Sequence, residues 1–308
     1  MAKKQIAVIG AGLMGHGIAQ IFCAAGHKVC IHDPADDVLQ VAPGKVREIF
    51  ELLGQDPSGV DNLSLHDSLD TVVAEVELVI EAAPENLELK QGIFEKLTET
   101  TGSGTILASN TSGIPISQIA ARSSQPERIV GTHFWNPPHL VPLVEVIQGE
   151  RTDTAIVEET IQLLTAVGKT AVHAKKDIPG FIGNRMQHAL KREAIALVEN
   201  GVCDAETVDL VVKEGFGMRF GVMGPLENSD LVGLNLTLAI HETLLTHLDI
   251  SDGPQKLLQD KVSAGELGMS VGQGFRSWTP DEAEAQRNKM RDHLVQYARQ
   301  RIKDRSEH

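Results

Sequence analysis

The segment IAVIGAGLMGHGIAQIFCAAG, residues 6–26, constrains this chain more than any other. A β-branched apolar run leads into Gly10-x-Gly12-x-x-Gly15 and straight on into a helical pattern. In that context each glycine has a physical role. Gly10 permits a tight turn, Gly12 lets the backbone approach a pyrophosphate closely, and Gly15 lets helix pack on strand. Leu13 and Met14 complete the loop, and the helix that follows presents unpaired N–H groups to phosphate. The next apolar run, KVCIHD, ends in Asp33, eighteen residues past Gly15. A carboxylate there accepts both hydrogen bonds of an adenosine ribose diol and repels a 2′-phosphate. No arginine follows it directly, so the expected cofactor is NAD and not NADP.

The alternation continues to about residue 175. Short runs LVIEAA, TILASNT, IVGTHF, VPLVEVI and AVHA are separated by helix-length amphipathic segments, which predicts an α/β fold with a parallel-dominated sheet. From about residue 180 the strands stop. FIGNRMQHALKREAIALVENG and GPLENSDLVGLNLTLAIHETLLTHL read as helices, and KKDIPG between the two regions carries a strand-breaking Pro179-Gly180. The expected division is a dinucleotide-binding domain over residues 1–178 and an all-helical domain over 179–308. Near the end, Thr279-Pro280-Asp281-Glu282 supplies an N-cap, a first-turn proline and an acid three residues on, so the charged tail is expected to be helical.

At 308 residues and 42% apolar composition, the chain is long enough for two cores. The net charge of −14 removes the electrostatic footprint of a nucleic-acid partner. No apolar run approaches the roughly 18 to 20 residues that cross a bilayer, and none ends in a cleavage site. Cys23, Cys30 and Cys203 form no CxxC pair, give no metal-ligand spacing, and cannot all be paired internally. A soluble protein of the cytoplasm is expected, with no metal, membrane or nucleic acid.

Three later motifs carry chemistry: ASNTSGIP with Ser112, GTHFWNPP with His133, and VPLVEVI with Glu145, each read as lying at the end of a strand. A hydroxyl, an imidazole and a carboxylate suit alcohol oxidation. A neutral histidine takes the hydroxyl proton, and a glutamate beside it fixes the tautomer and stabilises the imidazolium.

Together with GAGLMG, EAAPENLELK, DIPGFIGNR and the GxGF of Gly272 to Phe275, these motifs resemble the L-3-hydroxyacyl-CoA dehydrogenase family over nearly the whole chain. The spacings match as well, 21 residues from Ser112 to His133 and 12 from His133 to Glu145. The resemblance implies an N-terminal Rossmann-like domain, a helical second domain and usually a homodimer. It implies His133 as base, Glu145 as its partner, and Ser112 and Asn184 as hydrogen-bonders to the substrate oxygen. It implies nicotinamide-side or ribose contacts from Glu85, Lys90 and Asn136, although Lys90 also reads as an ordinary solvated helix lysine.

Two departures bear on substrate. Where members that use acyl-CoA usually carry lysines, this chain reads VREIFELLGQDPSGVD, which is net acidic, and Pro142 stands where a lysine tends to precede LVE. Carboxylates facing the phosphates of CoA are unfavourable. The stretch GFGMRFGVMGPLENSD resembles the branch of L-gulonate 3-dehydrogenase, L-carnitine dehydrogenase and a pyridine-carboxylate dehydrogenase of vitamin B6 breakdown. Arg219 in it is the candidate to bind a substrate carboxylate, unless it is a surface or ion-paired arginine. Phe134 and Trp135 suit a flat ring by stacking, or Phe134 belongs to the core. The expected substrate is thus a small hydroxy acid. A 3-hydroxybutyryl-CoA dehydrogenase and a non-catalytic NAD-binding or structural protein remain as alternatives.

Overall fold

The computed structural model describes residues 2–73 and 75–306. Its first compact unit comprises residues 1–185 with 290–308, and its second residues 186–289. The first unit is built on an eight-stranded sheet in the order β3-β2-β1-β4-β5-β6-β7-β8. The strands are β1 (Gln5–Ile9), β2 (Lys28–His32), β3 (Leu63–Leu65), β4 (Leu78–Glu81), β5 (Ile106–Ser109), β6 (Ile129–Phe134), β7 (Leu143–Ile147) and β8 (Thr170–Ala174). The helices of this unit are α1 (Leu13–Ala24), α2 (Asp36–Leu53), α3 (Leu69–Val72), α4 (Leu87–Thr100), α5 (Ile116–Ile119) and α6 (Thr154–Ala166).

Near-continuous apolar runs form the central strands because both faces of the sheet are covered. Alternate residues enter two cores: Ile6, Val8, Val29, Ile31, Leu78 and Ile80 pack on one side, while Ala7, Ile9, Cys30 and Val79 pack on the other. Fully burying each such aliphatic chain contributes roughly 1.5–3 kcal/mol before entropy is counted. Seven of the strands coincide with the apolar runs of the sequence. The eighth, β3, has three residues, too short for any alternation to show.

One pairing changes the expected geometry. All neighbours are parallel except β6 and β7, which are antiparallel, with His133 opposite Glu145 in the register. Glu145 therefore does not lie at a strand's carboxyl end, as the sequence suggested; it is the central residue of β7.

The second unit is helical: the greater part of α7 (Gly183–Glu199), then α8 (Ala205–Glu214), α9 (Pro225–Val232), α10 (Leu234–Leu244) and α11 (Lys256–Ser263). What read as one long helical stretch from Gly224 to Leu248 is broken at Gly233, whose φ of 98° no side-chain-bearing residue adopts easily. The tail forms α12 (Pro280–Ser306), and its start is the expected capping box: the Thr279 N–H donates to Glu282 Oε2 at 2.9 Å, and the Glu282 N–H donates back to Thr279 Oγ1 at 3.2 Å. Further along this helix Val295 and Ala298 pack on Ile49, Leu53 and Leu140 of the first unit. Tertiary packing thus returns the last stretch of chain to the sheet-bearing unit. Among the described residues no helix is long and apolar enough to cross a membrane.

Candidate active site

The glycine loop joins β1 to α1. A Cβ at Gly10, where φ is 99°, would lie 2.7 Å from the Ala82 carbonyl oxygen, and one at Gly15 would lie 1.8 Å from that of Gly10. These two glycines are imposed by the protein itself. Around Gly12, by contrast, a Cβ would meet nothing within 4 Å, which leaves the open approach a phosphate needs. Gly12 caps α1 without a side-chain hydrogen bond, and no acid occupies the first turn. The leading N–H groups of that helix stay available to an anion. Leu13 is 55% exposed beside them and Met14 is half-buried.

Asp33 follows β2. Its Oδ2 accepts from the Ala11 N–H at 2.8 Å and its Oδ1 from the Ala35 N–H at 2.9 Å. The carboxylate is thereby fixed beside the glycine loop, and each oxygen keeps a lone pair for a ribose hydroxyl. The loop, the α1 N-terminus and Asp33 together fit NAD.

A buried polar cluster stands where β4 and β5 end. Lys90 and Glu81 are both fully covered, with Nζ 2.6 Å from Glu81 Oε1. Glu81 also accepts from Ser109 Oγ at 2.6 Å and from the Ala83 N–H at 2.7 Å. Lys90 is consequently not a solvated helix lysine; besides Glu81, which the sequence reading missed, its amino group donates to the Ala83 carbonyl oxygen at 3.2 Å and lies 3.6 Å from Glu85 Oε2. Glu85 shapes the Ser112 loop, since its Oε1 accepts from Thr111 Oγ1 at 2.6 Å, the Ser112 N–H at 3.0 Å and the Gly113 N–H at 3.2 Å.

The antiparallel register brings His133 and Glu145 together. Nδ1 of the buried imidazole lies 2.8 Å from Glu145 Oε2, while Glu145 Oε1 accepts the N–H groups of Ile182 and Gly183 at 2.8 and 3.0 Å. Burial opposes the charge on Glu145, but His133 and the two backbone donors outweigh it and hold the carboxyl below its ordinary range. An ionised Glu145 fixes the proton of neutral His133 on Nδ1, so Nε2 carries the lone pair of a base. Trp135 and Phe181 pack against the imidazole, with ring centroids 5.5 and 5.7 Å away. Phe181 was not foreseen; its motif, DIPGFIGNR, had entered only through the family pattern. Phe134 belongs to the core, 2% exposed, which leaves only Trp135 for ring stacking.

Asn184 donates from Nδ2 to the Ser112 carbonyl oxygen at 2.8 Å, which joins the start of α7 to the Ser112 loop. Ser112 and Asn136 are exposed. The Phe134 N–H donates to Asn110 Oδ1 at 3.0 Å, tying the ends of β5 and β6. Arg219 lies in the helical unit, exposed, and no carboxylate among the described residues pairs with it. His139 lines a cavity whose described lining does not include His133.

Residues 5–178 match the NAD binding domain of 3-hydroxyacyl-CoA dehydrogenase, and residues 180–278 match the C-terminal domain. The chain belongs to the 3-hydroxyacyl-CoA dehydrogenase family. It is an NAD-dependent dehydrogenase acting on a CH–OH group. A crystal structure of 5-formyl-3-hydroxy-2-methylpyridine 4-carboxylic acid 5-dehydrogenase, an NAD+-dependent dismutase, superimposes with a TM-score of 0.89 at 34% identity, covering 98% of this chain and 99% of that one. L-carnitine dehydrogenase of Streptomyces coelicolor is 38% identical over 75% of this chain and 74% of its own length. A probable 3-hydroxybutyryl-CoA dehydrogenase of Deinococcus radiodurans is 38% identical over 87% of this chain and 98% of its own length. The family thus includes both substrate classes weighed from the sequence.

Proposed function

We propose that this dehydrogenase interconverts the alcohol and carbonyl of a small, carboxylate-bearing hydroxy acid, with His133 as the proton acceptor. The His133 to Glu145 pair carries the reading. Nε2 of His133 accepts the hydroxyl proton, and the charge of Glu145 stabilises the imidazolium that forms. NAD bound at the glycine loop and Asp33 supplies the hydride acceptor. Ser112, on a loop fixed by Glu85, and Asn184, anchored to that loop, orient the substrate oxygen. Orientation of this kind converts a chance encounter into a near-attack geometry.

The small-acid reading rests on the net acidic sequence from Val46 to Asp61, on Pro142, and on Arg219, whose guanidinium can take a carboxylate in bidentate fashion. The relatives named for carnitine and for a pyridine carboxylate support it. The Deinococcus relative, matched along nearly its whole length, favours short-chain 3-hydroxyacyl-CoA as the second reading. NADH formation decides between them. Gulonate, carnitine and hydroxymethyl-pyridine carboxylates are expected to include a substrate, with Arg219→Gln lowering kcat/KM for it by roughly 10- to 100-fold. Turnover of 3-hydroxybutyryl-CoA instead overturns the small-acid reading.

We also propose a homodimer in the cytoplasm. No residue of α8, α9, α10 or α11 is buried, and Leu226, Leu231, Leu234 and Leu238 are each at least 60% exposed. Apolar exposure of that extent marks an interaction surface. The three cysteines are free thiols, as suits a reducing compartment. Light scattering is expected to give twice the chain mass, and a monomer at micromolar concentration removes the dimer.

A further inference from the structure

A cavity of about 300 Å³ opens in the first unit. Gln20 and Ile21 of α1, Leu53 at the end of α2, His139 and Leu140 of the β6–β7 loop, and Arg301 and Arg305 of α12 contribute to its wall, with Lys169 just ahead of β8. None of the residues placed above around NAD or the His133–Glu145 pair lines it, and among the described residues no Asp or Glu does.

In a chain of net charge −14, three cationic side chains line it, Lys169 buried, Arg301 half-buried and Arg305 exposed, with no carboxylate among the described lining residues. Lys169 is 8% exposed; its amino group donates only to the carbonyl oxygens of Pro138 and Val141. Arg301 donates to Thr170 Oγ1 at 3.2 Å and Arg305 to the Ala166 carbonyl oxygen at 3.1 Å. Among the described residues no carboxylate pairs with any of the three. His139 Nδ1 is buried with no hydrogen-bond partner. Gly168, φ 98°, leaves the space that the Arg305 guanidinium fills, because a Cβ there would lie 1.6 Å from it.

Buried charges in proteins are normally paired, because an unpaired one forfeits its hydration without a Coulombic return. Burial, with Arg301 beside it, pushes Lys169 down to about 7. Capping of helix ends accounts for the Arg305 contact with Ala166, the last residue of α6. It does not account for a buried lysine beside a second cation in a lined cavity.

We propose that this cavity binds a phosphate-type oxyanion, either inorganic phosphate or the phosphate monoester of a small metabolite. Lys169, Arg301 and Arg305 supply the positive charge. The volume falls at the lower end of small-ligand pockets and exceeds what a bare phosphate fills, which leaves room for a short organic portion.

The test is a titration of the full-length protein with inorganic phosphate, followed by the unfolding midpoint. Ionic strength is held constant with chloride, and saturating NAD keeps phosphate off the α1 N-terminus. A saturable rise is expected, and Arg301→Gln with Arg305→Gln should raise the half-saturating concentration about tenfold or more. Comparing the variant's midpoint in chloride alone separates lost binding from lost stability. Glycerol 3-phosphate distinguishes the sources: tighter binding than phosphate identifies an ester site, and equal or weaker binding identifies free phosphate. A rise that does not saturate, or one identical in the double variant, overturns the proposal.

Discussion

His133→Ala is expected to lower turnover by roughly 100-fold or more, with NAD binding nearly unchanged and a lower unfolding midpoint, because the buried Glu145 loses a hydrogen-bond partner. The size follows from the position of the imidazole. Its Nδ1 is committed to Glu145, so Nε2 is the basic atom left to take a proton, and alanine leaves no replacement. Glu145→Gln tests the same device from the other side. A neutral amide no longer stabilises the imidazolium, and it must also set its own N–H₂ against the N–H groups of Ile182 and Gly183 or against His133. Losing hydrogen bonds of that charged kind costs about 1.5–3 kcal/mol, or roughly 10- to 100-fold in rate, together with some stability at the start of α7. Steady-state kinetics with NAD and the identified alcohol checks both variants. Retention of most turnover by a folded His133→Ala protein rules out general-base catalysis by this residue.

Lys90→Met is expected to cost about 3–5 kcal/mol of stability, read as a fall in the denaturation midpoint. Methionine matches the lysine stem, so packing changes little; what changes is that Glu81 is left fully covered without its cation. Ser109 and the Ala83 N–H still donate to it, and protonation of the carboxyl would recover part of the loss. A double variant, Lys90→Met with Glu81→Leu, should therefore be more stable than the single one, because it removes both charges. If the single variant unfolds at the wild-type midpoint, the pair contributes no stability. The cluster also bears on the site, since Lys90 sits between Glu81 and the Glu85 that fixes the Ser112 loop.

Much of this molecule was legible in its residues. Local patterns carried the strands that form the two-sided core, the glycine loop, and the capping box at Thr279. They carried these because each depends on neighbours within a few residues. The three-residue strand β3 and the break at Gly233 were not legible. Strand β3 is too short to show a period, and Gly233 resembles any glycine inside a helical stretch until its φ is known.

Family motifs named His133 and Glu145, but their spacing did not say how they meet. Read as ends of successive strands, they would sit side by side at the sheet's edge; the structure places them opposite one another because β6 and β7 run antiparallel. Glu145 is held in its charged form by His133 together with the Ile182 and Gly183 N–H groups, and those two donors arrive from 37 and 38 residues further along the chain. The burial of Lys90 is of the same kind. Its polar neighbours Glu88 and Gln91 suit a solvated helix, and only packing of α4 on the ends of β4 and β5 turns the amino group onto Glu81.

By itself the sequence determined the cofactor loop, which depends on residue type and local conformation, and through its family motifs the class of reaction and the two residues proposed here as the acid–base pair. Tertiary structure decided which atoms those residues present, which charges are buried, and that the tail from Met290 returns to the first unit and brings Arg301 and Arg305 to the cavity beside Lys169. Such arrangements depend on strand direction and long-range packing, where the interacting groups are dozens to more than a hundred residues apart and no local pattern records them.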